Sequence, residues 1–494
     1  MKRNIILLSF IITILLVEII IISGCPSPQT SIETTALEET IMEETTLITT
    51  KEEVKEEIAE ETTEITEETT IDFINEEANM GILAYVKDGN IYVKDLPNGQ
   101  VKQLTTDGKN HSPRFSPSGQ WIAYNKNDKI CLIQISSGET RAMNTNNEVK
   151  KFIWSPVSDT IAYITQPGSL FVASSPEWYE HELVPNIDSR ERKYVIALAW
   201  SPDGEWIAYS QNKWIKKEPS PEIHSSLFKI GKDGSEKTEL CCSNFLLGKT
   251  PLQPDEYYAS IVATWSLDDK YILFLSELTA SLLADGTSLM FIPANGGNPI
   301  KLVERMLIYS DFLDNSPDGE SIAITEGGDR CTWINKHIVI VDITSGSRSI
   351  ITDKNISALY PEWSPNGKQI AYVAAPDIGS NIGGGDTNKD VMAKRRIWLV
   401  NVSNMEKLQF KQLTSDQTYR DEFPIWSRDS KYILFARIDT EDRASLWLIP
   451  EGGGEPQQVV EELTLTSGWF GFYGYTDWND YFDWWQGDVI TTLK

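Results

Sequence analysis

The chain has 494 residues, 40% of them hydrophobic, with 44 Lys plus Arg against 72 Asp plus Glu and a formal net charge of −28. That apolar content supports a sizeable core and excludes a wholly disordered protein. The acidic balance, without a basic patch interleaved with aromatics, excludes duplex nucleic acid as a partner.

At the N-terminus, Lys2 and Arg3 precede an almost unbroken apolar run from Ile5 to Ile22, and Ser23-Gly24-Cys25 follows. A charged start, an apolar run and small residues before a cut describe an export signal over residues 1–24. The Cys at the cut resembles a bacterial lipobox, which implies cleavage before Cys25 and lipid attachment to it. The alternative is an uncleaved anchor, since an 18-position apolar run nearly spans a bilayer. Glu18 inside the run argues against a simple spanning helix. Either way the rest of the chain lies outside the cytoplasm, tied to the cell membrane or the outer membrane.

Residues 26–80 hold 17 Asp plus Glu against two Lys, together with 13 Thr. Such a segment buries too little apolar surface to offset its ordering entropy, so residues 25–79 are expected to form a disordered acidic tether. About 50 residues of flexible coil span roughly 40 Å. A stalk that lifts a globular head off the lipid is the favoured reading, and a partner-binding acidic tail the alternative.

From residue 80 to 494 the chain is repetitive. FSPSGQWIAY from Phe115 is followed by WSPVSDTIAY from Trp154, WSPDGEWIAY from Trp200, WSLDDKYILF from Trp265, NSPDGESIAI from Asn315, WSPNGKQIAY from Trp363 and WSRDSKYILF from Trp426. The serines stand at 116, 155, 201, 266, 316, 364 and 427, with spacings of 39 to 65 residues. Repeats of about 40–50 residues built from short strands indicate a β-propeller. Each unit reads as an apolar strand ending at Trp, a Ser-Pro-Asp-Gly turn, an Ile-Ala-Tyr strand, a third apolar strand and a polar fourth. The Trp is expected to pack between blades. The stretch from Gly81 to Gly108 lacks an innermost strand, which the segment around Trp485 can supply. The fold is therefore expected to be all-β, a propeller of four-stranded antiparallel blades. Eight blades are favoured, with seven if the C-terminal segment does otherwise.

The connections between strands two and three open on the same face as those between blades. The long segments 174–196, 211–225, 243–260, 277–287, 326–336 and 375–396 all read as belonging to that face, which becomes the expected functional surface. They hold Trp178, Tyr179, His181, Arg190, Arg192, Trp214, His224, Tyr257, Tyr258, Arg330 and Trp333. Aromatic and arginine side chains are usual recognition anchors, and loop packing is the plainer account of several. Asp386, Asn388 and Asp390 alternate in GGGDTNKD and could wrap calcium, the single cofactor candidate. Val391 and Ile397 stand where an EF-hand needs Gly and Glu, so a solvated loop is favoured. Beside Cys25, Cys131, Cys241, Cys242 and Cys331 allow three pairings between which sequence cannot choose. GWFGFYGYTDWNDYFDWW from Gly468 has ten aromatics in 18 residues and reads as a staple of the chain end, with a sugar platform as the alternative.

The Trp-Ser-Pro-Asp-Gly and Ile-Ala-Tyr units resemble the TolB-like propeller-repeat family, itself similar to WD-repeat propellers, over about residues 81–460. The resemblance implies periplasmic scaffold roles, or a propeller placed before a serine-peptidase domain. A Thr/Glu tether stands where TolB carries a small α/β domain, and no G-x-S-x-G nucleophile elbow occurs. The expected function is a non-catalytic, membrane-tethered, monomeric binding or scaffold module for an envelope protein, peptide or glycan. A propeller polysaccharide lyase or glycosidase is the alternative, and an envelope signalling sensor the third reading.

Overall fold

The repeat folds as it does because its serine is a buried hub. Ser201 donates its hydroxyl to Asp203 Oδ1 at 2.6 Å and accepts the backbone N–H of Trp206 at 2.9 Å. The Gly204 N–H closes the turn on the Ser201 carbonyl at 2.9 Å. Gly204 has φ +68°, and a Cβ there would lie 2.5 Å from Val157 of the preceding blade, so both backbone freedom and space require glycine. The same serine bonds recur at Ser266, Ser316, Ser364 and Ser427.

The computed structural model describes residues 79–487 except 144–146, 188–190, 216–221, 247–259, 277–285, 379–385 and 466–472. The export signal, Cys25 and almost all of the tether lie outside them. The described strands form eight sheets of four antiparallel strands. Blade 1 comprises Phe482–Trp485, Ile82–Lys87, Asn90–Asp95 and Val101–Gln103; blade 2 comprises Asn110–Phe115, Trp121–Lys126, Lys129–Gln134 and Thr140–Ala142. Blade 3 holds Val149–Trp154, Thr160–Thr165, Leu170–Ser174 and His181–Val184. Blade 4 is longer, with Glu191–Trp200, Trp206–Ile215, Glu222–Gly231 and Thr238–Leu246. Blade 5 holds Ser260–Trp265, Tyr271–Ser276, Thr287–Pro293 and Ile300–Met306, and blade 6 holds Leu313–Asn315, Ser321–Glu326, His337–Asp342 and Arg348–Ile350. Blade 7 runs Ile356–Trp363, Gln369–Pro376, Arg396–Asn401 and Gln409–Gln412, and blade 8 runs Tyr419–Trp426, Tyr432–Asp439, Ala444–Pro450 and Gln457–Leu463.

The ring closes through blade 1. Its innermost strand comes from the chain's end and pairs Trp485 with Ile82 and Phe482 with Tyr85. This favours eight blades over seven and removes two open edges. The repeat tryptophans lie between blades. Trp154, Trp200, Trp265 and Trp426 donate their indole N–H to the carbonyls of Arg114, Ile153, Ala199 and Glu362 on the preceding innermost strand, at 3.0–3.4 Å. Cys131 and Cys331 are buried free thiols.

Blade geometry corrects one expectation. Residues 175–180 join strands three and four of blade 3, so Trp178 and Tyr179 sit on the face of the short turns, with His181 opening the next strand there. The sequence reading missed the short strand Leu170–Ser174 and counted that turn as part of a long connector. The other long segments hold two-to-three or blade-to-blade connections.

Candidate functional site

The long-connector face is dominated by blade 4, whose strands run nine or ten residues where those of blades 1 and 2 run six or fewer. Their extra length projects beyond the ring on that face. Arg192 and Trp214 are cross-strand partners there, with the guanidinium 5.5 Å from the indole centroid. Lys213 pairs with His224 in the next register. Arg330, in the two-to-three connection of blade 6, lies 5.2 Å over the Tyr473 ring. Trp333 is buried with Cys331, Ile334, Val391 and Met392, where it packs its own connector down. Trp178 is also buried, and Tyr179 is exposed on the opposite face. The structure thus groups Arg192, Trp214 and His224 on blade 4 and sets Arg330 and Trp333 on blade 6. Arg190, Tyr257 and Tyr258 lie outside the described residues.

Asp386–Met392 is a short helix. That backbone differs from the extended wrap expected for a calcium loop. Among the described residues no group of three or more His, Cys, Asp or Glu is placed to hold a metal ion.

Several polar clusters were not read from the sequence. Lys336 is fully buried, and its ammonium donates to the carbonyls of Gly328, Asp329, Cys331 and Ile334 at 2.8–3.2 Å. It occupies the centre of the blade 6 connector much as a bound cation would. Burial lowers it to about 8, so it stays charged at neutral pH.

The innermost strands line the central channel, and carboxyl groups gather there. Asp314 and Glu362, on blades 6 and 7, are half-buried neighbours. Desolvation raises Asp314 to about 7, and desolvation with the Asp314 charge raises Glu362 well above the carboxylate range. Asp314 Oδ2 also accepts the Trp363 N–H at 2.6 Å, which ties blade 6 to blade 7. Asp483 does the same for Phe115 at 2.7 Å. Asp311 is raised by desolvation and then by Asp477. A signal for two of these exists in the sequence. Asp314 and Glu362 stand one residue before the repeat Trp or its substitute, where blades 3, 4, 5 and 8 have Ile153, Ala199, Thr264 and Ile425.

The channel is crossed on the long-connector face by residues 473–481. Thr332 and Arg395 bond the carbonyls of Tyr473 and Gly474 at 3.1 and 2.8 Å. Tyr475 donates to Asp311 at 3.1 Å and stacks on Tyr309 with centroids 3.5 Å apart. Asp480 accepts the Ser112 hydroxyl at 2.5 Å on blade 2. The Ser112 hydroxyl also lies 2.8 Å from His111 Nδ1. Here serine sits between histidine and aspartate, whereas a nucleophilic triad needs histidine in the middle. The trio is a staple for the crossing segment.

No protein-family model matches the chain. Dipeptidyl-peptidase 5 of Porphyromonas gingivalis is 21% identical over 211 residues, which cover 41% of this chain and 28% of the relative. The aligned part thus spans less than a third of that protein. Among solved structures, Porphyromonas gingivalis dipeptidyl peptidase 4 matches with TM-score 0.52 and 12% identity, covering 78% of this chain and 60% of that one. An oligogalacturonate lyase matches at 0.45 and 14%, covering 77% and 98%, and TolB from Acinetobacter baumannii at 0.31 and 14%, covering 77% and 66%. At these identities the likeness is one of fold. Among the described residues no helix is long and apolar enough to cross a membrane.

Proposed function

We propose that this chain is an extracytoplasmic binding or scaffold protein, lipid-anchored through Cys25, whose propeller recognises an envelope protein, peptide or glycan on the long-connector face. The observation that carries the reading is the polarity of the ring. The chain enters blade 1 at Ile82, at the short-turn end of that strand, while the enlarged connectors and the overhang of blade 4 occupy the other face. The first described strand thus joins the ring at one face, and the enlarged connectors gather at the other. Arg192 and Trp214 on the overhang supply the kind of anchors that dominate recognition energetics.

A second reading, a propeller lyase or glycosidase, is favoured by the raised carboxyl groups Asp311, Asp314 and Glu362. Paired acids with displaced pKa values are what glycoside chemistry uses. The residues at 473–481 cross the channel mouth and weigh against it.

One experiment separates the two. The full chain, displayed on membranes, is crosslinked to envelope components, alongside Arg192→Ala/Trp214→Ala and Asp311→Asn. A discrete crosslinked partner lost in the blade 4 variant, with no polysaccharide turnover, supports the binding role. Turnover abolished by Asp311→Asn, or crosslinking unchanged in the blade 4 variant, overturns it.

A further inference from the structure

Seven of the eight blades blunt their outer edge, and blade 4 does not. An outermost strand leaves one row of backbone N–H and C=O groups unpaired, a template for any further strand. Folded proteins blunt such edges by keeping them short, charging them or kinking them with bulges. In blades 1, 2, 3, 6 and 7 the outermost strand has three or four residues. In blades 5 and 8 it has seven, and each is broken by two register shifts against its neighbour. All seven of these strands also carry a charged side chain, from Lys102 on blade 1 to Glu461 on blade 8.

The outermost strand of blade 4, Thr238–Leu246, has nine residues. Its single register shift lies near its start, where Glu239 pairs with Phe228 and Cys241 with Leu227. Beyond that point, residues 241–246 pair with residues 222–227 over six successive positions without a break. The run reads Cys-Cys-Ser-Asn-Phe-Leu, with no charge and no proline. Leu240, buried in the core that blades 4 and 5 share, fixes the root of the strand. Among the described residues, no backbone group bonds to the strand's outer side. Length, flatness and lack of charge coincide here and on no other blade.

A second copy of the chain fits this edge without any further partner. Antiparallel pairing of a strand with its own copy is two-fold symmetric, so both sides use the same residues. An axis between Ser243 and Asn244 sets these two opposite each other, Cys242 opposite Phe245, and Cys241 opposite Leu246. No charge then faces a like charge, an arrangement that destabilises cross-strand pairs. Two chains of net charge −28 repel each other, and an uncharged edge is where they approach at least cost. One open edge also limits the assembly. Once two copies have paired, no open edge remains, so the dimer closes and does not grow.

We infer that blade 4 carries a dimerisation edge, at which two copies of this chain join residues 241–246 of their outermost strands into one continuous antiparallel sheet. The chain then works as a dimer, in place of the monomer expected from the sequence. The edge lies on the outer rim of the ring, so it stands or falls independently of the ligand proposed above.

The test is sedimentation velocity of the detergent-solubilised full chain over a wide range of concentration. A reversible monomer–dimer equilibrium is expected for the parent. Ser243→Lys/Asn244→Lys sets like charges opposite each other across the axis and is expected to weaken association about tenfold or more. Mixing that variant with Ser243→Glu/Asn244→Glu makes the facing pairs opposite in charge and is expected to restore dimers. Ser349→Lys, on the outermost strand of blade 6, is the control and should leave association unchanged. If the double Lys variant fails to fold, Asn244→Lys alone decides. A parent that stays monomeric, or dimers unchanged by the Lys substitutions, overturns the inference. So does a mixture of folded variants that stays monomeric, or an equal loss of dimers in Ser349→Lys.

Discussion

Trp484 donates its indole N–H to the carbonyl oxygen of Met80 at 2.8 Å, joining residues 404 positions apart. Beside it, Trp485 donates to the Pro117 carbonyl at 2.9 Å in the first turn of blade 2. The chain's end thereby locks the chain's beginning into the ring, and the two indoles are the bolts.

Trp484→Ala removes a buried indole from the cluster that also holds Leu83, Trp478 and Phe482. Loss of a buried Trp costs about 3–5 kcal/mol. Urea unfolding should show that loss, and hydrogen exchange should show Ile82–Lys87 opening first. An unchanged midpoint with Ile82–Lys87 still protected would mean that the terminal strand does not hold the ring closed.

The architecture was legible because each blade repeats the same local chemistry. Ser201, Pro202, Asp203 and Gly204 declare their turn without help from the rest of the chain, and a missing first strand in blade 1 pointed to its replacement near Trp485. Function-bearing geometry was less legible because it depends on contacts between blades. Trp178 illustrates the difference: its type suggested a recognition anchor, yet Trp121 and Trp154, distant in sequence, make it core. Lys336 carries no motif at all, since its partners are backbone carbonyls. Asp314 and Glu362 left a trace, as acidic residues at a repeat position where blades 3, 4, 5 and 8 have Ile, Ala or Thr and blade 2 has Arg114. Nothing in either one alone says that they face each other.

Lys336 is the second test. Its ammonium satisfies carbonyls of a buried connector, and Lys336→Met would leave several without a donor. Buried polar groups stranded in this way cost about 1–3 kcal/mol each, so a total loss of roughly 2–4 kcal/mol is expected after relaxation. The readout is chemical denaturation together with fluorescence of Trp333, which the same connector buries. A variant as stable as the parent, with Trp333 still shielded, would show that the carbonyl cage is not structural.

The channel acids make stability depend on pH in a direction opposite to that of ordinary surface carboxylates. Asp314 rests at about 7 in the folded ring against 3.8 when unperturbed, with desolvation as the main cause. Between those values the folded state keeps a proton that the unfolded chain has released. Unfolding therefore releases a proton in that window, and by linkage stability falls as pH rises from about 4 through 7. Glu362, raised by burial and by Asp314, adds in the same sense. Asp314→Asn keeps the acceptor oxygen for the Trp363 N–H while removing the titration, so it isolates the effect from the hydrogen bond. The difference in unfolding free energy between parent and Asp314→Asn, measured at pH 5 and at pH 8, should grow in favour of the variant at the higher pH. Carboxylates held low by hydrogen bonds within their turns, such as Asp342 with Ser345, are present in both proteins and cancel in that difference. A difference that stays constant across the range would show that Asp314 is ionised in the folded ring and that blades 6 and 7 are held by a charged, not a protonated, pair.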